Sequence, residues 1–189
     1  VLMTSFAEAM TTWASPFFYS TNDATTSATP LVIMKGGEGD LPTVTQMLLG
    51  IREGCLGETC AIALIIGGIY LVIRRVISPA TPIAFIGTVF VLSAIAGQNP
   101  VYQVLSGGLL LGAVFMATDY ATTPVTFSGK IIFGIGCGLI TVFIRLFGSL
   151  PEGVSFSIII MNILTPYIEK LTSKKPFGYT KPQKNGGAK

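Results

Sequence analysis

The chain has 189 residues, of which half are hydrophobic and 11% charged, with a formal net charge of +3 and a mean hydropathy of +0.69. A soluble domain carries about a quarter charged residues, so a water-covered globule is excluded and the chain belongs in lipid. There is no histidine, and the three cysteines (Cys55, Cys60, Cys137) show no metal-ligand spacing, which excludes histidine-based metal sites and a disulfide framework, although Cys55 and Cys60 lie near enough to pair.

Residues 1–56 are mixed in character. The opening at Val1, without a basic region, a short apolar stretch and a cleavage site, reads as the continuation of a longer membrane protein whose C-terminal part this is. Leu2 to Trp13 reads as the end of a preceding helix. The stretch Asp23-Ala24-Thr25-Thr26-Ser27-Ala28-Thr29-Pro30-Leu31 cannot form a helix core. Its hydroxyls and Asp23 compete for their own backbone, and Pro30 pushes Thr29 toward an extended conformation. The expectation is an exposed loop presenting the Thr29 hydroxyl; composition by itself favours an ordinary Ser/Thr-rich turn. Lys35 to Asp40 is a glycine-containing turn, and Leu41 to Ile51 is too short to span, which suits a re-entrant or interfacial piece.

Five membrane spans follow: Thr59 to Ile73, Pro82 to Gly97, Val101 to Thr118, Ser128 to Leu146 and Gly153 to Ile168. Arg74 and Arg75 close the first and can reach the interface. Gly97-Gln98-Asn99-Pro100 separates the second from the third. Glycines inside the spans (Gly67, Gly68, Gly107, Gly108, Gly112, Gly134, Gly136, Gly138) predict close helix contacts, although close approach to a planar ligand uses the same positions. The architecture expected is an all-α, polytopic membrane helix bundle. Residues 1–56 form an extracytoplasmic or interfacial segment, 57–168 the five-helix membrane domain, and 169–189 a basic tail.

From Glu169 onward six lysines face one glutamate, whereas up to Glu58 two basic residues face six acidic ones. Arg74, Arg75 and the tail share a side if there are five spans, and that side is expected to be the cytoplasm. The loop holding Thr29 then lies outside. Arg145, near the outer end of the fourth span, is the misfit, offset by Glu152. Glu58 and Thr59 open a span, where a carboxylate meets the positive end of the helix dipole; capping and a contact to a cofactor or coupling ion both fit. Asp119, with Thr122, Thr123, Pro124 and Thr126 after it, is either a plain polar loop or a coupling-ion contact. Asn162 is a buried amide expected to bond a neighbouring helix. No acid lies in the middle of any span, so an intramembrane acid relay is not encoded.

The segment Asp23 to Thr29 resembles Asp-x-x-Ser/Thr-Gly-Ala-Thr, the acceptor signature for covalent FMN attachment by the flavin transferase ApbE, with Ser27 where glycine is usual. Gly57-Glu58-Thr59-Cys60-Ala61-Ile62-Ala63-Leu64 resembles a conserved span opening of the NqrB/RnfD family. Arg74-Arg75-Val76-Ile77, Met116 to Asp119 through Pro124-Val125-Thr126, and Pro151 to Phe156 with Met161-Asn162 continue it in family order. The resemblance runs from Asp23 to Tyr167 and is nearer the RnfD branch.

That resemblance implies a membrane electron-transfer subunit of an Rnf-type complex, which couples ferredoxin:NAD+ electron transfer to Na+ or H+ translocation. It implies FMN on Thr29 through a phosphoester, with Asp23, Thr26, Ser27 and Ala28 as the attachment motif and Glu58 and Thr59 as neighbours. Ser27 restricts the loop relative to glycine. A second, non-covalent flavin (riboflavin) is implied, shared with an N-terminal half not contained in this chain. The implied partners are the other Rnf subunits (the flavin-bearing RnfG-type protein and the iron–sulfur and membrane subunits), ApbE for maturation, and lipid; nucleic acid is not among them. The implied location is the bacterial cytoplasmic membrane, with the C-terminus cytoplasmic. Without a Gly-x-Gly-x-x-Gly after a strand or an iron-ligating cysteine set, the chain is not a complete enzyme. The rival reading is half of a transporter or permease with no redox cofactor.

Overall fold

A computed structural model of the protein describes residues 30–36, 41–50, 57–148 and 152–173. The acceptor-like loop through Thr29, the turn at 37–40 and the tail from 174 lie outside the described residues. Among the described residues all regular structure is helical. In chain order the helices are α1 (Pro30–Met34), α2 (Val44–Leu49), α3 (Ala61–Ile73), α4 (Ala80–Ile95) and α5 (Pro100–Leu105). Then come α6 (Leu109–Leu111, continuing as a π-helix over Gly112–Met116), α7 (Phe127–Phe147) and α8 (Val154–Thr172).

Helices occupy all five stretches where spans are expected, but not as five equal rods. A helix needs about 20 residues to cross the hydrocarbon layer. α7 and α8, with 21 and 19 residues, are long and apolar enough, whereas α3 and α4 are apolar but have 13 and 16. The segment Val101 to Thr118 is not one helix. α5 ends at Leu105, Ser106 is extended at φ −86° and ψ 147°, and Gly107 turns left-handed at φ +62°. The uninterrupted apolar composition there hid a backbone break that two adjacent glycines make easy. α8 also runs on to Thr172, past the residue where the tail was expected to begin.

Glycine sets the packing, because lipid gives helices no hydrophobic reason to associate and backbones must approach closely instead. α4 lies on α7 so tightly that a Cβ at Gly134 would stand 2.8 Å from Ala84 Cβ, and one at Gly138 2.6 Å from Thr88 Cβ. α8 reaches α7 through Gly136, where a Cβ would meet Met161 Sδ at 2.6 Å. The same pair of helices shares a buried bond in which Thr141 Oγ1 donates to Ser157 Oγ at 2.8 Å. Gly68 of α3 sits against Val114 of the π-helix, and Gly112 against Val154. Phe85, Val89, Leu109, Phe133 and Cys137 fill the core between them. Outward, Ile66, Ile83, Phe143 and Ile163 are all more than half exposed, an apolar exterior that suits lipid. Asn162 departs from expectation: its Oδ1 is buried without a hydrogen-bond partner.

The ladder of helices has two ends. At one end lie Arg74 and Arg75, the Asp119 loop and the end of α8, tied by bonds from Tyr120 to the Val76 carbonyl and from Thr165 to the Thr122 carbonyl. At the other lie α1, the head of α3, the α5–α6 break, the end of α7 and the start of α8.

Candidate functional site

The α5–α6 break is held by one cation. Arg145, in the last turn of α7, is only 4% exposed. Its Nη1 donates to the Gln103 carbonyl at 2.5 Å and to Gln103 Oε1 at 3.2 Å, and its Nη2 to the Ser106 carbonyl at 3.2 Å. The last carbonyls of a helix have no partner within it, and a six-residue helix cannot hold itself together. Arg145 supplies the missing donors. Its Nε, and the Oγ of Ser106, remain buried without a partner.

Two acids flank the break. The Gly108 N–H donates to Glu152 Oε1 at 3.2 Å. A Cβ at Gly107 would lie 2.5 Å from that same oxygen, and one at Gly108 would lie 2.6 Å from Glu58 Oε1. Both carboxylates attract the Arg145 charge. Gly107 also touches α1, since its Cβ would stand 2.7 Å from Leu31 Cδ1. Leu31 is 3% exposed, so the residue two places after Thr29 is anchored on the break. At the far end of α1, Lys35 Nζ donates to the Gly148 carbonyl at 2.8 Å. Partial burial lowers the Lys35 ammonium from its ordinary range, and the Arg145 charge adds to the effect.

Between α1, α5 and α7 lies a cavity of about 360 Å³ lined by Leu31, Met34, Leu146 and Gly148 and by the polar side chains of Lys35, Gln98, Gln103 and Arg145. This volume is in the range of small-molecule sites. Among the described residues its lining contains two cations and no acid.

A model of the NQR2, RnfD, RnfE family matches residues 1–178. The chain belongs to this family. It is 47% identical over 169 residues to the D component of the Na(+)-translocating ferredoxin:NAD(+) oxidoreductase complex of Acetobacterium woodii, covering 88% of this chain and 53% of that one. It is 45% identical over 195 residues to the D component of the proton-translocating ferredoxin:NAD(+) oxidoreductase complex of Clostridium ljungdahlii, covering 94% and 58%. The D component of the ion-translocating oxidoreductase complex of Stutzerimonas stutzeri is 39% identical over 137 residues, 69% of this chain and 39% of that one. The chain thus spans about half the length of the first two of these relatives, and like them it is a membrane protein.

In this RnfD-type chain the expected site residues separate into three groups. Thr29, Asp23, Thr26, Ser27 and Ala28 lie outside the described residues. Glu58 and Thr59 are half-buried at the head of α3. The N-cap position of α3 is Cys60, while the Glu58 carboxylate lies against Gly108. Asp119 sits at the opposite end of the bundle, exposed, accepting from Thr122 Oγ1 at 3.3 Å. Among the described residues no three His, Cys, Asp or Glu side chains gather as a metal site. The assembly of Arg145, Gln103, Gly107 and Lys35 was not anticipated. Its signal was nonetheless present, because an arginine inside an otherwise apolar span is costly unless something pairs with it.

Proposed function

We propose that the protein is a membrane electron-transfer subunit carrying FMN as a phosphoester on Thr29, within an Rnf-type complex that couples ferredoxin:NAD+ electron transfer to ion translocation. The observation that carries this reading is the anchoring of α1. The acceptor-like motif ends at Thr29; Pro30 and Leu31, which follow it directly, are buried, and Leu31 lies against the α5–α6 break and lines the cavity. A flavin needs apolar walls for its ring and donors for its ring edges. Leu31, Met34 and Leu146 offer the first, and Lys35, Gln98 and Arg145 the second. Flavin supplies the one-electron chemistry, and the protein supplies its position and electrostatic setting.

The charge distribution supports placing the Arg74 end in the cytoplasm and the Arg145 end, with the Thr29 loop, outside, where the transferase works. Five crossings of the membrane, with α5–α6 as a broken span, bring both basic clusters to the same side. Other Rnf subunits, including a flavin-bearing and an iron–sulfur subunit, serve as electron partners, and the second, non-covalent flavin belongs with the half that the longer relatives contain. One relative's name says Na+ and another's says protons at nearly equal identity, so the coupling ion is Na+ or H+, with Asp119 as a contact on the cytoplasmic side.

In-gel fluorescence tests the reading. Membranes from cells possessing the transferase are denatured and viewed under ultraviolet light. A fluorescent band that disappears in Thr29→Ala is expected. A dark wild-type band rejects the flavin and favours a solute-transport half built around the broken helix.

A further inference from the structure

We infer that the seam between α4 and α7 is a groove for an acyl chain of an anionic phospholipid, whose headgroup lies beside Arg74, Arg75 and Lys130. The two helices start at the same end of the bundle and meet through Gly134 and Gly138, and a groove of about 720 Å³ runs along their outer side. On α4 it is lined by Ala80, Ala84 and Gly87, and on α7 by Ile131, Ile135 and Leu139. A Cβ at Gly87 would meet nothing within 4 Å, so the helices leave this space open. Two features select a lipid tail as the occupant. Among the described residues that line the groove only Thr88 is polar, and its hydroxyl donates to the Ala84 carbonyl at 2.7 Å. Nothing there asks the occupant for a hydrogen bond. The second feature is length. The groove runs from Pro79 to Val91 on α4 and from Phe127 to Leu139 on α7, about 18 Å at the rise of a helix. That is close to the depth of one leaflet, half of a hydrocarbon layer about 30 Å thick. A partner helix would cross both leaflets, whereas a tail stays in one.

Charge selects the headgroup. The groove starts at Pro79 and Phe127, at the basic end of the bundle. Beside it lies a smaller hollow lined by Val76, Ser78, Asp119, Tyr120 and Lys130. This brings the exposed Arg74–Arg75 turn, which Val76 follows directly, and Lys130 together around the start of α4. The first turns of α4 and α7 add partial positive charge at the same end. Among the described residues there, Arg74, Arg75, Lys130 and Lys170 stand against Asp119 and Glu169. Both acids are engaged within the protein: Asp119 accepts from Thr122 Oγ1 at 3.3 Å and Glu169 Oε1 from the Val125 N–H at 3.2 Å. Lys170 lies over the Tyr167 ring. A surplus of cations at the mouth of an apolar groove matches an amphiphile with a negative head, since each basic residue near a membrane surface attracts anionic lipid.

The test is native mass spectrometry of the purified full chain in detergent, titrated with phosphatidylglycerol or with phosphatidylcholine of the same acyl chains. Wild type is expected to retain one phosphatidylglycerol in preference to phosphatidylcholine. Arg74→Gln, Arg75→Gln and Lys130→Gln should each lower phosphatidylglycerol retention about fivefold and leave phosphatidylcholine unmoved. Gly87→Leu, which fills the groove from α4, should abolish the retained lipid, and Ile135→Trp, which fills it from α7, should do the same if the glycine variant does not fold. Ile66→Trp, on the exposed face of α3, is the control and should bind as wild type. Equal retention of the two lipids by wild type overturns the headgroup assignment and with it the proposal. Unchanged phosphatidylglycerol retention in a folded Gly87→Leu or Ile135→Trp protein overturns the groove. A lipid-free dimer that either groove variant splits would give the seam to a second copy of the chain instead.

Discussion

Two glycines with the same backbone requirement provide a controlled experiment on the α5–α6 break. Gly97 and Gly107 have φ of +73° and +62°, a region where a side chain costs about 1–2 kcal/mol. At Gly97 nothing lies within 4 Å of where a Cβ would stand, so Gly97→Ala should cost only that backbone term. At Gly107 the new methyl would stand 2.5 Å from Glu152 Oε1 and 2.7 Å from Leu31 Cδ1. Both must retreat, and Glu152 then loses its bond to the Gly108 N–H, a charge-assisted bond that contributes about 1.5–3 kcal/mol. Gly107→Ala should therefore cost about 2.5–5 kcal/mol. At about 2–4 °C per kcal/mol, the Gly107 variant should melt several degrees below the Gly97 variant. Thermal unfolding in detergent, read by a thiol-reactive dye on the fully buried Cys137 in a background where Cys55 and Cys60 are replaced by serine, measures both. Equal melting temperatures would refute the claim that Gly107 is wedged between Glu152 and α1.

Three further outcomes are expected. Gly134→Val should split α4 from α7 and lose the monodisperse elution peak, since overpacking costs about 1–3 kcal/mol or more, whereas Gly87→Val, facing open space on α4, should elute as wild type. A double-mutant cycle between Thr141→Val and Ser157→Ala should show a coupling of about 0.6 kcal/mol, the usual size for such bonds in membranes; a coupling near zero would remove that bond from the account of α7–α8 packing. Asp119→Asn should lower ion transport into vesicles by the assembled complex while leaving flavin content unchanged, and equal transport in both proteins would exclude Asp119 from coupling.

How much of this was readable in the sequence depended on whether the signal was local. Span positions were legible, because an uncharged apolar run has few other places to go. Glycine contacts at Gly68, Gly134, Gly136 and Gly138 were legible for the same reason. The break after Leu105 was not, because Ser106-Gly107-Gly108 suits a tight helix contact as well as a turn, and the choice between them is made by Leu31, Glu58 and the Arg145–Glu152 stretch, from three separate parts of the chain. Arg145 stood out only as a charge on the wrong side. What it bonds, the carbonyls of Gln103 and Ser106, is a backbone arrangement that no residue pattern spells out. Glu58 was read as a helix opener with a cofactor or ion contact as its alternative, and its position against Gly108 depends on that same tertiary arrangement.

The central claim is that the Thr29 hydroxyl is esterified by a flavin phosphate. Peptide mass spectrometry on the protein purified from cells with the transferase measures this directly. A peptide containing Thr29 that carries the mass of one FMN residue, with fragment ions placing it on that threonine, is the result predicted. An unmodified Thr29 in protein taken from an active complex would contradict it.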